Sequence, residues 1–241
     1  MKYAVFGDIH GNLEALDAVL ERCAQEKPDK YICTGDIVGY GADPVACVDK
    51  IRALDPIIVA GNHDFAAAGI LNTDFFNSYA FQAIEWTRKE LPPKYLDFLG
   101  KLKLVKNING LTVVHSTLYN PELFEYIQTN YDVQLGFSSM EGKICFIGHS
   151  HVPVSFVLQR GSFSFSTEPF LPVTADIKVI SNIGSVGQPR DDNPAAAYAI
   201  YDDAEGIIWV KRIEYDVEKA SAKIRKAKLP EVLAERIKYG R

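Results

Sequence analysis

The chain has 241 residues, longer than the ~150 that serve as a guide to domain size but short of two such domains, so one domain spanning 1–241 is expected. Hydrophobic residues make up 47% and charged residues 24%, which excludes a disordered chain, a collagen and a disulfide mini-protein. Twenty-six Lys and Arg against 31 Asp and Glu leave a net charge of −5, so the global basic field of a nucleic-acid binder is missing and nucleic acid is not an expected partner.

The first third of the chain alternates strand and helix. Tyr3–Phe6 is a short apolar run ending in Gly-Asp, too short for a signal peptide. Asn12–Gln25 carries Leu13, Leu16, Val19 and Leu20 at a helical period. Tyr31–Thr34 is a second apolar run ending in Gly35-Asp36, Pro44–Leu54 reads as helix, and Ile57–Ala60 is a third run ending in Gly61-Asn62. Repeated strand–loop–helix units imply a parallel sheet covered by helices. The aromatic segment Phe75–Leu99 reads as helix interrupted at Pro92-Pro93. The period then shifts toward strands: Leu102–Lys106, Leu111–His115, Ile144–Gly148, Val154–Gln159, Ser162–Ser166, Lys178–Asn182, Ala196–Tyr201 and Ile207–Tyr215. Val217–Lys228 and Pro230–Tyr239 read as closing helices. An α/β first half followed by a β-rich second half fits two sheets packed face to face with helices outside. No stretch reaches ~18 uninterrupted apolar residues, so no membrane contact is expected. Cys23, Cys33, Cys47 and Cys145 form no Cys-x-x-Cys pair; buried thiols and a cytoplasmic location are the expectation.

The chemistry concentrates at the strand ends. Gly7-Asp8-Ile9-His10, Gly35-Asp36 and Gly61-Asn62-His63-Asp64 each follow an apolar run. In an open α/β sheet, ligands bind beyond the carboxyl ends of the strands, so these polar residues converge on one crevice. Two later strands end in His115 and in His149-Ser150-His151, and all five histidines of the chain lie at such places. One histidine alone is usually a packing or surface residue, and one aspartate alone a cap or turn residue. The set is what divalent transition metals require, imidazoles with carboxylates. Asp8, His10, Asp36, Asn62, His115, His149 and His151 supply seven ligand groups, too many for one ion. Two ions sharing a carboxylate would use them, and Asp36 is the natural bridge.

The blocks Gly7-Asp8-Ile9-His10-Gly11, Gly35-Asp36-Ile37-Val38, Gly61-Asn62-His63-Asp64, His115 and Gly148-His149-Ser150-His151 together resemble the calcineurin-like metallophosphoesterase superfamily. The resemblance implies a four-layer α/β/β/α sandwich of two mixed sheets flanked by helices. It implies one ion held by Asp8, His10, Asp36 and His151, and a second held by Asp36, Asn62, His115 and His149. His63, outside both sets, would face the substrate as the acid for the leaving group. Asp64 would orient or charge-stabilise the His63 ring, or else cap the following helix. Imidazole and carboxylate accept Mn, Fe, Zn, Co or Ni, and manganese is the first expectation.

The second block departs from the protein serine/threonine phosphatases. They read Gly-Asp-x-Val-Asp-Arg-Gly there, whereas this chain has Gly39-Tyr40 in place of Asp-Arg. The pattern is closer to the small prokaryotic phosphodiesterases and diadenosine tetraphosphatase-like proteins, which the segment Asn182–Asp191 also resembles. The expected activity is hydrolysis of phosphodiester or phosphoanhydride bonds in small phosphorylated substrates, nucleotides among them. Arg190 is the candidate phosphate fork, the competing account being a surface pair with Asp191 or Asp192. The rival to an enzyme is a non-catalytic scaffold of the same fold, which loss of ligand residues would favour; none is lost. Phe75, Phe76, Tyr79, Phe81 and Trp86 fit a nucleobase wall or, better, ordinary packing or a dimer face, and an oligomer is compatible with the sequence. The basic run Lys219–Lys228 reads as a solvated helix face.

Overall fold

A computed structural model describes residues 1–241. Its first part contains β1 (Lys2–Phe6), α1 (Leu13–Gln25), β2 (Lys30–Cys33), α2 (Pro44–Leu54), β3 (Ile57–Ile58), α3 (Asn62–Ala67), α4 (Ser78–Glu90) and α5 (Pro93–Gly100). The second part is built from β4 (Val105–Ile108), β5 (Leu111–Val114), α6 (Asn130–Ser138), β6 (Ile144–Ile147), β7 (Val154–Gln159), β8 (Ser162–Ser166), β9 (Phe170–Pro172), β10 (Ile177–Asn182), β11 (Ala196–Asp202) and β12 (Ile207–Ile213). It closes with α7 (Val217–Lys226) and α8 (Glu231–Tyr239). The strands form two mixed six-stranded sheets, ordered β3-β2-β1-β11-β12-β9 and β4-β5-β6-β10-β7-β8.

The period of two along each strand divides the layers. Tyr3 and Val5 of β1 face Val113, Phe146 and Val179 of the second sheet in a core between the sheets. Ala4 and Phe6, on the opposite face, pack under Leu16, Val19 and Ile51 of α1 and α2. On the outer face of the second sheet, Val114, Cys145 and Ile180 meet Val133 and Phe137 of α6. The result is the four-layer α/β/β/α sandwich that the resemblance implies. All four cysteines are free and buried.

Register brings the strand ends together. β1, β2 and β3 run parallel, with Phe6 opposite Cys33 and Cys33 opposite Ile58. In the second sheet β5, β6 and β10 are parallel, with Val113 opposite Phe146 and Ile147 opposite Asn182. The loops that follow these strands therefore leave the sandwich at one end.

Several elements differ from the sequence reading. The strand expected at Leu102–Lys106 lies at Val105–Ile108, because Asn109 and Gly110, both at positive φ, make a two-residue hairpin turn into β5. The helix expected to follow Asn62-His63-Asp64 is the six-residue α3, whereas α6 and the three-residue β9 have no counterpart in the sequence reading. Pro92-Pro93 interrupts the aromatic helical segment as read, with Pro93 opening α5. Trp86 packs against the cluster that α7 and α8 form with Ala80 and Ala83. The basic face of α7 is tied to acids: Lys219 and Lys223 reach Glu14 at 3.1 and 2.6 Å, and Lys223 reaches Asp43 at 2.8 Å.

Candidate metal centre

All seven expected ligands arrive at the same end of the sandwich, and the backbone is shaped to present them. Asp8, His10, Asp36, His149 and His151 have φ between 49° and 69°, the left-handed region that non-glycine residues rarely adopt. Hydrogen bonds across the strand ends hold them there. Ile9 and His10 donate to the Asp36 carbonyl at 2.8 and 3.0 Å, and Gly187 donates to the Asp8 carbonyl at 2.9 Å. The His149 amide donates to both Asp8 carboxylate oxygens, at 3.2 and 3.0 Å. Close approach also requires glycine at 61, where a Cβ would lie 1.9 Å from Asp36 Oδ1.

The imidazoles are oriented from behind. Nδ1 of His10 faces the Val38 carbonyl at 3.1 Å, that of His115 the Thr34 carbonyl at 2.8 Å, and that of His151 the Gln188 carbonyl at 2.6 Å. A carbonyl only accepts, so each Nδ1 carries a hydrogen and each ring, when neutral, turns an Nε2 lone pair inward. Those lone pairs converge: His10 Nε2 is 3.0 Å from His151 Nε2, and His151 Nε2 is 3.3 Å from Asp8 Oδ1. Asp36 Oδ2 stands between the two halves of the set, 3.6 Å from His10 Nε2 and 3.3 Å from His115 Nε2. Asn62 Oδ1 and His149 Nδ1 each lie 3.2 Å from His115 Nε2. Lone pairs and carboxylates facing one another in a buried space repel unless a cation or proton lies among them, so the residues present fit divalent metal.

The electrostatics carry the same tension. Burial disfavours protonation of His115, but the Asp36 charge and its hydrogen bonds outweigh it and raise the pKa to about 9. The same negative environment that favours a proton on His115 would favour a cation among these ligands. Burial lowers His10, His149 and His151. Burial also lowers His63, with the Arg190 charge acting the same way and Asp36 opposing, to about 4.

His63 projects from the first turn of α3 into the cleft beside the ligands. Its ring packs against His10, Tyr40 and Phe76 at centroid distances of 4.8, 4.4 and 5.1 Å. Nδ1 is buried without a hydrogen-bond partner. It faces Gly39, where a Cβ would come within 2.4 Å, at a φ of +93°. The aspartate that the phosphatases carry at this position has no room beside His63 as the ring is placed.

Asp64 follows the capping expectation, as the third residue of a capping box rather than the cap itself, and not the expectation of a partner for His63. Its carboxylate is not on the His63 ring. Oδ2 accepts from the Asp36 and Gly61 amides at 2.8 and 3.1 Å, and Oδ1 from the Ile37 and Val38 amides at 2.9 and 3.4 Å. It sits at the third helical position of α3, with Gly61 as the cap. Four N–H donors use up the carboxylate, which fastens the Asp36 loop to the start of α3.

Arg190 lies in the cleft with Tyr40, His63 and His151. The surface-pair account does not hold, because Asp191 pairs with Arg212 and Asp192 with Arg241, the latter at 2.8 Å. The cleft measures about 340 Å³, and Phe75, Phe76, Phe124 and Tyr126 are among its lining residues. Of the aromatic segment, Phe75 and Phe76 face this cleft, while Phe81 is partly exposed elsewhere. Tyr126 stacks on His149 with centroids 4.2 Å apart. Phe124 and Tyr126 lie in an irregular loop with no strand or helix period, so nothing in the sequence pointed to them.

A family model of calcineurin-like phosphoesterases matches residues 1–155. An uncharacterized protein of Methanocaldococcus jannaschii is 43% identical over 99% of this chain and 98% of its own. A symmetrical bis(5'-nucleosyl)-tetraphosphatase of Dechloromonas aromatica is 40% identical over 26% of this chain and 23% of its own. Among solved structures, a metallophosphoesterase from Sphaerobacter thermophilus has a TM-score of 0.87 at 35% identity, covering 100% of this chain and 99% of that one.

Proposed function

The chain belongs to the calcineurin-like phosphoesterase family and is a phosphoester hydrolase; from that premise we propose a dinuclear metal-dependent enzyme that cleaves phosphodiester or phosphoanhydride bonds of small substrates, nucleotides among them. The observation that carries the dinuclear reading is Asp36 Oδ2 lying between His10 Nε2 and His115 Nε2. Asp8, His10, Asp36 and His151 would hold one ion, and Asp36, Asn62, His115 and His149 the other, with manganese the first candidate. When bound, such a pair neutralises phosphate oxygens and lowers the pKa of water. The short match to a symmetrical dinucleoside tetraphosphatase supports the nucleotide part of the reading. The enzyme is read as one domain over 1–241, acting in the cytoplasm.

The protein's own groups divide the remaining work. His63 protonates the departing oxygen. Burial keeps the free ring neutral, and an anionic substrate beside it favours the charged form in the complex. Arg190 holds an anionic group of the substrate. Asp64 acts through the backbone, keeping Asp36 in its left-handed position. A serine/threonine phosphatase reading is disfavoured by Gly39-Tyr40 and the Cβ clash with His63.

A hydrolysis panel tests this reading. A phosphomonoester, a phosphodiester and a dinucleoside polyphosphate are each supplied with Mn, Fe, Zn, Co or Ni. Metal-dependent turnover of the diester or polyphosphate above the monoester, abolished by a chelator, is expected. Absence of turnover with every metal would favour the scaffold.

A further inference from the structure

Resting on the reading of Arg190 as a phosphate-binding group, we infer that Gln188 is a positioning residue that sets Arg190 to hold a second phosphoryl group, so that the site favours phosphoanhydrides over phosphomonoesters. Gln188 is 1% exposed. Its Oε1 accepts from Arg190 Nη2 at 2.8 Å and Nε at 3.3 Å, and its side chain makes no other hydrogen bond. The guanidinium only donates, so it fixes which end of the amide faces it. The other end, Nε2, is buried with no partner. A buried amide N–H left unpaired carries a desolvation cost that an apolar side chain of similar size would avoid. What the glutamine supplies in return is the seat of Arg190.

That seat is joined to the metal ligands. The Gln188 carbonyl accepts from His151 Nδ1 at 2.6 Å, and the Arg190 amide donates to the His151 carbonyl at 3.2 Å. The Gln188 amide donates to Ser185 Oγ, which donates to the Asp8 carbonyl, both at 2.8 Å. Guanidinium and ligands are thus joined through one hydrogen-bonded loop. Tyr40 sets the spacing. Its ring lies 4.7 Å from the His10 ring, and the Arg190 guanidinium carbon is 5.8 Å from its centroid. Its hydroxyl also accepts from Nη2 at 3.5 Å. Tyr40 thus touches both a metal ligand and the guanidinium, and the positive charge faces the same cleft as Asp36, His63 and His151, where it would meet a phosphoryl group attached to the one attacked. Nε and Nη2 are engaged within the protein, which leaves Nη1 to meet that group.

Calorimetric titration of the metal-loaded full chain with inorganic phosphate and with pyrophosphate tests this, with metal content checked after each titration. The wild type should prefer pyrophosphate. Arg190→Ala should reduce that preference roughly ten- to hundredfold, the size of one charge-assisted hydrogen bond. Gln188→Met, similar in volume but without the acceptor, should reduce it to a similar extent at unchanged metal content. The double variant should be no worse than Arg190→Ala alone, since Gln188 acts through Arg190. If Gln188→Met does not fold, Gln188→Glu should remove the preference by cancelling the guanidinium charge. Equal binding of both anions by the wild type, an intact preference in the Gln188 variants, or additive losses in the double variant would overturn the inference. Diester hydrolysis measured in parallel separates the two readings. Turnover without a pyrophosphate preference removes only the subsite, and the preference without turnover removes only the enzyme reading.

Discussion

The two ends of the sandwich use the same backbone conformation for different purposes. At the far end, Asn109-Gly110 and Arg160-Gly161 are left-handed pairs that close the β4–β5 and β7–β8 hairpins, and all four are exposed. There the turn itself demands the conformation, and the residues are those such turns favour or tolerate. At the other end the left-handed residues include Asp8, His10, Asp36, His149 and His151, with Tyr40 and Phe124 of the cleft beside them, all buried. No short hairpin asks for them. Each costs about 1–2 kcal/mol against an ordinary conformation, and each is maintained by hydrogen bonds from a neighbouring strand end. Strain that a local turn explains is a matter of connection. Strain on buried acids and histidines, sustained from several strands at once, marks where ligands are aimed.

The comparison can be broken with a pair of glycine substitutions. Gly61→Ala places a Cβ on Asp36 Oδ1, so metal content and activity should both be lost. Gly110→Ala, at φ +79° with nothing within 4 Å, should cost only about 1 kcal/mol of conformational strain and leave both intact. Thermal unfolding with elemental analysis checks the pair; equal losses in the two variants would erase the distinction.

A smaller effect separates chemistry from metal binding within the strained end. His63→Ala should retain metal, because its ring lies outside the ligand set, and should slow turnover roughly 10²–10⁴-fold if it acts as the acid. The loss should shrink for p-nitrophenyl esters, whose leaving group departs without a proton. A loss equal for good and poor leaving groups would point to positioning instead.

The mildest effect is in stability. His115 in the metal-free fold has its pKa raised from 6.5 to about 9. Protonation therefore stabilises the fold fully below about pH 6.5, and this contribution is lost as pH rises through about 9. The midpoint of unfolding of chelator-treated protein should fall across that window, and that of the metal-loaded protein should not, since metal displaces the proton. Parallel pH profiles for the two forms would contradict the account.

Much of this end was legible in the sequence. Each ligand follows an apolar strand, and a parallel sheet brings strand ends together whatever the details of packing. The supporting groups were less visible. Nothing in the string Asn62-His63-Asp64 tells whether the acid turns to the adjacent ring or back to the amides of residues 36–38, because that depends on how two loops dock. Arg190 could be suspected from its loop, but its competitors were removed only when Arg212 and Arg241 were found on Asp191 and Asp192. Gln188 lies in the segment Asn182–Asp191 that carries the resemblance, but its role was not readable, because the partner of an amide is set by tertiary contact. The unforeseen elements, α6 and β9, are short, and nine or three residues give periodicity little to act on. The Asn109-Gly110 turn was a readable hairpin signal and would have placed β4 correctly.

The central claim is that two metal ions share Asp36. Stepwise return of manganese to chelator-treated protein, with elemental analysis and hydrolysis of bis(p-nitrophenyl) phosphate followed together, tests it most directly. The account predicts that the wild type binds two equivalents, that activity reaches its plateau only with the second, and that Asp36→Asn loses both metal and activity. Full activity at one equivalent, or two equivalents retained by Asp36→Asn, would contradict it.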